Sequence, residues 1–100
     1  MMSVKIDVPK EVIAAFCQRH HIRQLALFGS VLRDDFTPES DIDVLVEFEL
    51  GHTPGLAFFA MQRELTEILG RKVDLNTAQG LSPYFRQEVV DGAEVLYVSA

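Results

Sequence analysis

Cysteine is almost absent from the chain, with Cys17 standing alone. A solitary thiol closes no intramolecular disulfide and is too few for a thiolate-rich zinc site, so Cys17 reads as a small core hydrophobe. Basic residues are also scarce. Nine lysines and arginines stand against fifteen acidic residues, a net charge of −6, and only Arg71 and Lys72 among them are adjacent. A protein that grips a polynucleotide displaces counterions with a basic face, so direct binding of extended DNA or RNA is not expected. No apolar run approaches the roughly 20 residues that span a bilayer, and the amino terminus lacks a basic-then-apolar leader pattern. The chain therefore reads as a soluble cytoplasmic protein with no membrane partner. Internal repeats, low-complexity tracts and linkers are missing as well.

What is present describes a small globule. One hundred residues can bury roughly 60 to 65 % of the surface an unfolded chain exposes, which leaves room for one core, and residues 1–100 are expected to form a single domain. Apolar residues make up 48 % and charged residues 24 %, close enough to the globular average to exclude disorder or a fibre. Pro9 suits the first turn of a helix carrying Val12, Ile13, Phe16, Cys17 and His20 on one face. "IRQLALF" then reads as a strand ended by Gly29, with a short helical turn from Ser30 to about Asp34 and a loop over "FTPES". "DIDVLVEFE" alternates, sending Ile42, Val44, Val46 and Phe48 one way and Asp41, Asp43, Leu45, Glu47 and Glu49 the other.

After "GHTPG" a helix from about Gly55 carries Phe58, Met61, Leu65, Ile68 and Leu69 on one face, and Gly70 stops it. "RKVDLNT" is a short strand, Ser82 and Pro83 open a helix that Gly92 ends, and "EVLYV" is the last strand. The order helix, strand, strand, helix, strand, helix, strand implies the α/β or α+β class, a small mixed β-sheet with helices packed against it.

The chemistry gathers after Gly29, where seven of the fifteen acidic residues fall between Asp34 and Glu49. Residues two apart on a strand share a face with backbone positions roughly 6.6 Å apart, so Asp41 and Asp43 present two carboxylates side by side. Their repulsion is relieved by a proton or by a cation, and hard Mg²⁺, which favours carboxylate oxygens and keeps waters and phosphates as further ligands, is the economical answer. Asp74 is a third carboxylate in an apolar strand. Paired beside the first strand and facing the same way, it would allow two ions at roughly 3.5 to 4 Å, the arrangement for in-line phosphoryl displacement. Taken alone, Asp-Ile-Asp is more simply the wet face of an edge strand, and Asp74 a surface residue. The upstream Gly29-Ser30 changes the balance, because a glycine ending a strand and a serine opening a helical turn offer N–H groups and a hydroxyl to a phosphate.

Together these residues resemble the signature of the DNA polymerase β-like nucleotidyltransferase superfamily, a Gly-Ser followed some ten residues later by Asp-x-Asp. "LFGS", Arg33, "SDIDVLVEF", "LGRKVDL" and "LSPYFRQEVV" followed by "EVLY" extend the resemblance over nearly the whole chain, and it is similar above all to the minimal nucleotidyltransferases, the MntA-type antitoxins paired with HEPN-domain toxins. Asp34 stands where that pattern often has a small residue. The resemblance implies the polymerase β-like fold, with Asp41 and Asp43 binding Mg²⁺ that carries ATP. It also implies Gly29 and Ser30 at the β- and γ-phosphates, and Asp74 completing a second metal site and helping to deprotonate the attacking hydroxyl. Arg33 would neutralise phosphate charge, or equally pair with Asp34, Asp35 or Glu39.

After a catalytic sheet and its helices, a chain this short has few residues left to position an acceptor, so the acceptor must bring its own docking surface. With no basic patch, that favours a protein over a nucleic acid. The family resemblance implies transfer of AMP from ATP to a tyrosine of a partner HEPN-type RNase toxin, silencing it in a hetero-oligomer. The alternative is a non-catalytic antitoxin that binds and masks the toxin. An antibiotic-modifying transferase would need a second domain. His20 and His21 are adjacent, lack the spacing of a helical metal pair and read as a helix-end cap, while His52 falls in a loop without a pattern. Phe58 and Phe59 read as core and partial surface, and Tyr84 as helix packing.

Overall fold

Pro9 precedes the first helix, α1 (Lys10–Arg19), and its carbonyl accepts the first helical hydrogen bond from the Ile13 N–H at 2.9 Å. Proline suits that position because its fixed φ matches helix entry and it has no N–H to leave orphaned. The structure is a computed structural model and describes residues 8–32, 37, 39–52 and 54–99; Arg33, Asp34 and Asp35 lie outside the described residues. Strand β1 (Ile22–Phe28) runs into a 3-10 turn at Gly29–Leu32, and β2 (Ile42–Phe48) is followed by α2 (Ala57–Leu69). Strand β3 (Val73–Thr77), α3 (Arg86–Gly92) and β4 (Glu94–Val98) complete the order read from the sequence.

The four strands form one mixed sheet in the order β3-β2-β1-β4. β1 is antiparallel to both β2 and β4, and β2 and β3 are parallel. A parallel neighbour needs a crossover, which α2 supplies between β2 and β3. Ile22, Leu25 and Leu27 of β1, Ile42, Val44 and Val46 of β2, and Val73 and Leu75 of β3 form one core with Ile13, Phe16 and Cys17 of α1 and Met61 and Leu65 of α2. Both long helices therefore cover one face of the sheet. Val12, expected on the apolar face of α1, is instead 46 % exposed. One residue of helix turns the chain by about 100°, which carries Val12 off the stripe that Ile13, Phe16 and Cys17 fill.

Helix α2 ends as its sequence indicates. Gly70 adopts φ 70°, and its N–H donates to the Thr66 carbonyl at 2.9 Å. The start of α3 differs from expectation. Ser82 does hold a turn, its Oγ accepting from the Tyr84 N–H at 3.3 Å and its carbonyl from the N–H groups of Phe85 and Arg86, but the helix proper begins at Arg86. The Arg86 guanidinium donates back to the carbonyls of Ala78 at 2.6 Å and Leu81 at 3.1 Å, which ties the helix start to the preceding loop. Tyr84 is left 98 % exposed and does not pack the helix. Among the described residues no helix is long and apolar enough to cross a membrane.

Candidate functional site

Strand alternation brings Asp43 and Asp74 to one place. Ile42 and Val44 on β2, and Val73 and Leu75 on β3, are all buried beneath the helices, so the residues between them, Asp43 and Asp74, belong to the opposite face. The parallel register sets those two directly beside each other, across a strand spacing of about 4.8 Å. On its other side Asp43 is the register partner of Phe28, the last residue of β1, so the turn that follows begins against the Asp43 carboxylate.

Gly29 opens that turn with φ 79°, a left-handed conformation costly for any residue with a Cβ. A Cβ there would lie closer than 3.0 Å to Asp43 Oδ2 and 3.2 Å from its Cγ. Two independent constraints thus call for glycine, and the second comes from Asp43 itself. Ser30 follows, half-buried, and Val31 is fully buried, anchoring the turn to the core.

Asp41 lies one residue before β2. The Ile42 N–H donates to the Lys72 carbonyl at 2.9 Å, and Lys72 Nζ is 3.7 Å from Asp41 Oδ2. Next to it, the Arg71 guanidinium donates to the Thr37 carbonyl at 2.6 Å and reaches the Ser40 carbonyl at 3.4 Å, holding the loop that delivers Asp41. Thr37 and Ser40 close this loop on themselves: the Thr37 N–H donates to Ser40 Oγ at 3.0 Å and the Ser40 N–H to the Thr37 carbonyl at 3.0 Å. The sequence marks Arg71 and Lys72 only as an adjacent basic pair; in the fold they bracket Asp41.

The oxygens of Asp41, Asp43 and Asp74 do not form a set within 4.8 Å of one another; among the described residues only His21, Glu49 and His52 do so. Asp41 is turned toward the Lys72 ammonium, and three like charges gain nothing by converging further. The donor set still suits a hard divalent cation. It consists only of carboxylate oxygens, two of them registered side by side, and the exposure of Asp74 leaves room for water and phosphate oxygens.

Two supporting residues carry no signal in the strand pattern. Thr66 Oγ1 accepts from the Val73 N–H at 3.1 Å, and Gln62 Oε1 accepts from the Leu75 N–H at 2.9 Å. One turn of α2 thereby satisfies the outer edge of β3 on both sides of Asp74. The only sequence cue is a polar pair four residues apart on a helix whose neighbouring positions, Met61 and Leu65, are core.

Comparison with known proteins matches a family model described as "Nucleotidyltransferase domain" over residues 9–96. The chain belongs to this nucleotidyltransferase family. A relative from Thermococcus cleftensis named protein adenylyltransferase MntA is 34 % identical over 82 residues, covering 81 % of this chain and 79 % of the relative. Among solved structures, a toxin-antitoxin with AMP-PNP superposes with a TM-score of 0.73 at 22 % identity, covering 92 % of this chain and 75 % of the other. A complex of a tri-AMPylated Shewanella oneidensis HEPN toxin with an MNT antitoxin gives a TM-score of 0.64 at 23 % identity, over 90 % and 70 % of the two chains. At those identities the structural matches establish a shared nucleotidyltransferase fold, and the family assignment rests on the sequence match.

Proposed function

We infer that this nucleotidyltransferase transfers AMP from ATP to a tyrosine hydroxyl of a HEPN-type RNase toxin and so acts as its antitoxin. The observation that carries the reading is the convergence on one sheet end of registered Asp43 and Asp74, with Gly29 pressed against the Asp43 carboxylate. The Thermococcus relative's name and the AMPylated toxin in the Shewanella complex supply the acceptor class.

In this reading the tyrosine oxygen attacks the α-phosphorus of ATP, a tyrosine O–P bond forms, and the bond to the β-phosphate oxygen breaks to release pyrophosphate. Asp41, Asp43 and Asp74 would hold Mg²⁺, which when bound neutralises triphosphate charge and eases ionisation of the hydroxyl. Gly29 and Ser30 offer the turn's N–H groups and a hydroxyl to the β- and γ-phosphates, where donors aimed at fixed oxygens orient the chain of phosphates. Asp74, on the edge strand and exposed, is the carboxylate most accessible to an incoming hydroxyl and receives its proton. The negative net charge leaves docking to the acceptor protein.

The test uses the full chain, labelled ATP, Mg²⁺ and a purified HEPN-type toxin. Label should pass to a toxin tyrosine with wild type and be lost with Asp41→Asn and with Asp43→Asn. Neutralisation of the toxin without label transfer, undiminished in both variants, would instead establish masking.

A further inference from the structure

At the end of the sheet away from Gly29 and Asp43, three side chains from three connections meet. His21 joins α1 to β1, Glu49 directly follows β2, and His52 sits in the turn beyond it. Glu49 lies six positions beyond Asp43 along β2, about 20 Å of extended chain, so this group is remote from the aspartates.

The backbones of the three are tied together. The Glu49 N–H donates to the His21 carbonyl at 2.8 Å, and the His52 N–H donates to the Glu49 carbonyl at 3.0 Å. His21 holds φ 56°, the sole described residue other than glycine in the left-handed region. The His21 and His52 rings stack with centroids 4.0 Å apart and planes 18° from parallel, and His21 Nδ1 lies 3.8 Å from Glu49 Oε1. One ligand atom from each residue falls within 4.8 Å of the other two.

The geometry points to a site for a zinc-class divalent cation held by His21, Glu49 and His52. Two imidazoles and a carboxylate are the nitrogen and oxygen donors that Zn²⁺ and Co²⁺ accept, whereas Mg²⁺ prefers oxygen alone, so this site and the aspartates select different ions by donor chemistry. Bonds of about 2.0 to 2.2 Å in a tetrahedron place ligand atoms about 3.4 Å apart. The three atoms lie within 4.8 Å of one another, and closing to that spacing takes the two rings out of their stack, a rotation for which the exposed His21 and His52 side chains have room. Three protein ligands leave the fourth position to water or to a group from a partner. The left-handed φ of His21 belongs to the end of α1, where it follows the C-cap His20, and the exposed ion pair at 3.8 Å contributes little, so neither by itself accounts for three ligand atoms gathering from three connections. Occupancy would clamp the α1-to-β1 junction to the end of β2.

The test uses the full-length chain without an affinity tag, carrying Asp41→Asn and Asp43→Asn to silence the aspartates, stripped of metal and titrated with Zn²⁺ by calorimetry and with Co²⁺ by visible spectroscopy. We expect one equivalent per chain, ligand-field bands of tetrahedral or five-coordinate Co²⁺, and a rise in Tm with Zn²⁺. Adding His21→Asn or His52→Ala should weaken binding at least about tenfold, the scale on which even supporting residues of metal sites act. Asparagine tolerates the left-handed backbone at position 21, and His52 is an exposed turn residue, so both variants keep the fold. His20→Ala should leave the affinity unchanged, because His20 points instead to Glu64 at 3.0 Å. No saturable binding, or equal affinity in His52→Ala, overturns the assignment.

Discussion

Replacing Gly29 with alanine separates the two reasons for its presence, because the protein supplies its own control. Gly29 and Gly70 both sit in the left-handed region, at φ 79° and 70°, but a Cβ on Gly70 meets nothing within 4 Å while one on Gly29 meets the Asp43 carboxylate closer than 3.0 Å. The backbone term is therefore shared, roughly 1 to 2 kcal/mol for a residue with a Cβ. For a chain of this length each kcal/mol lowers Tm by about 4 to 8 °C. Only Gly29→Ala adds displacement of Asp43. The clash is with the far end of a half-exposed side chain, so the carboxylate rotates away at small cost in stability, moving on the order of 1 Å to regain van der Waals contact. A misplacement of that size at a reacting centre can cost about 100-fold in rate. Thermal unfolding and single-turnover AMP transfer should thus show two variants of similar Tm, with Gly70→Ala close to wild type in rate and Gly29→Ala down about 100-fold. A Gly29→Ala variant within about threefold of wild type would refute the claim that this glycine exists to seat Asp43.

Gln62→Ala and Thr66→Val each leave an edge N–H of β3 without its acceptor, and each should lower stability by about 1 to 3 kcal/mol in urea unfolding, with transfer activity falling further because Asp74 lies between the two bonds. The Cys17 thiol is fully buried and its pKa is pushed up to about 12 by desolvation. Folded protein should therefore resist alkylation at pH 8 while urea-unfolded protein reacts. Because the unfolded thiol ionises near its ordinary value and the folded one does not, this group's contribution is complete below about pH 8.5 and is lost progressively as pH rises toward 12. Glu64 is shifted the other way. The hydrogen bond from Arg19 holds its carboxyl below the ordinary value, burial opposes this, and His20 assists. Its contribution is present above the unfolded carboxylate range and is lost as pH falls through the lowered folded value, so Glu64→Gln should flatten the acid limb of the stability profile measured by chemical denaturation.

What the sequence made legible, and what it did not, divides along a physical line. Hydrophobic periodicity is local, so every strand and helix, the core face of β2 and the termination of α2 at Gly70 could be read directly. Contacts made by connections have no period. The meeting of His21, Glu49 and His52 depends on where two turns come to rest, and the bracketing of Asp41 by Arg71 and Lys72 depends on which strand lies next to β2. The exposure of Tyr84 follows from a helix that starts four residues beyond its serine.

Asp74 shows both halves of this division within one residue. Its face follows from alternation: slipping β3 by one position would bury a carboxylate and expose Val73 and Leu75, now 1 % and 5 % exposed, so the slip is strongly opposed. Its height along β2 follows from nothing in its own strand, because a slip by two residues keeps every side chain on the same face and would set Asn76, not Asp74, beside Asp43. That choice is made from outside the strand. Gln62 and Thr66 accept from N–H groups two residues apart, the repeat of a strand edge, and any successive pair of edge N–H groups would satisfy them, so the choice falls to the three-residue connection between Leu69 and Val73, which is too short to absorb a two-residue slip. Register is thus set by where α2 stops, at Gly70, and by the short connection after it, and the pairing of the two aspartates depends on a helix end that a reading of strands alone passes over.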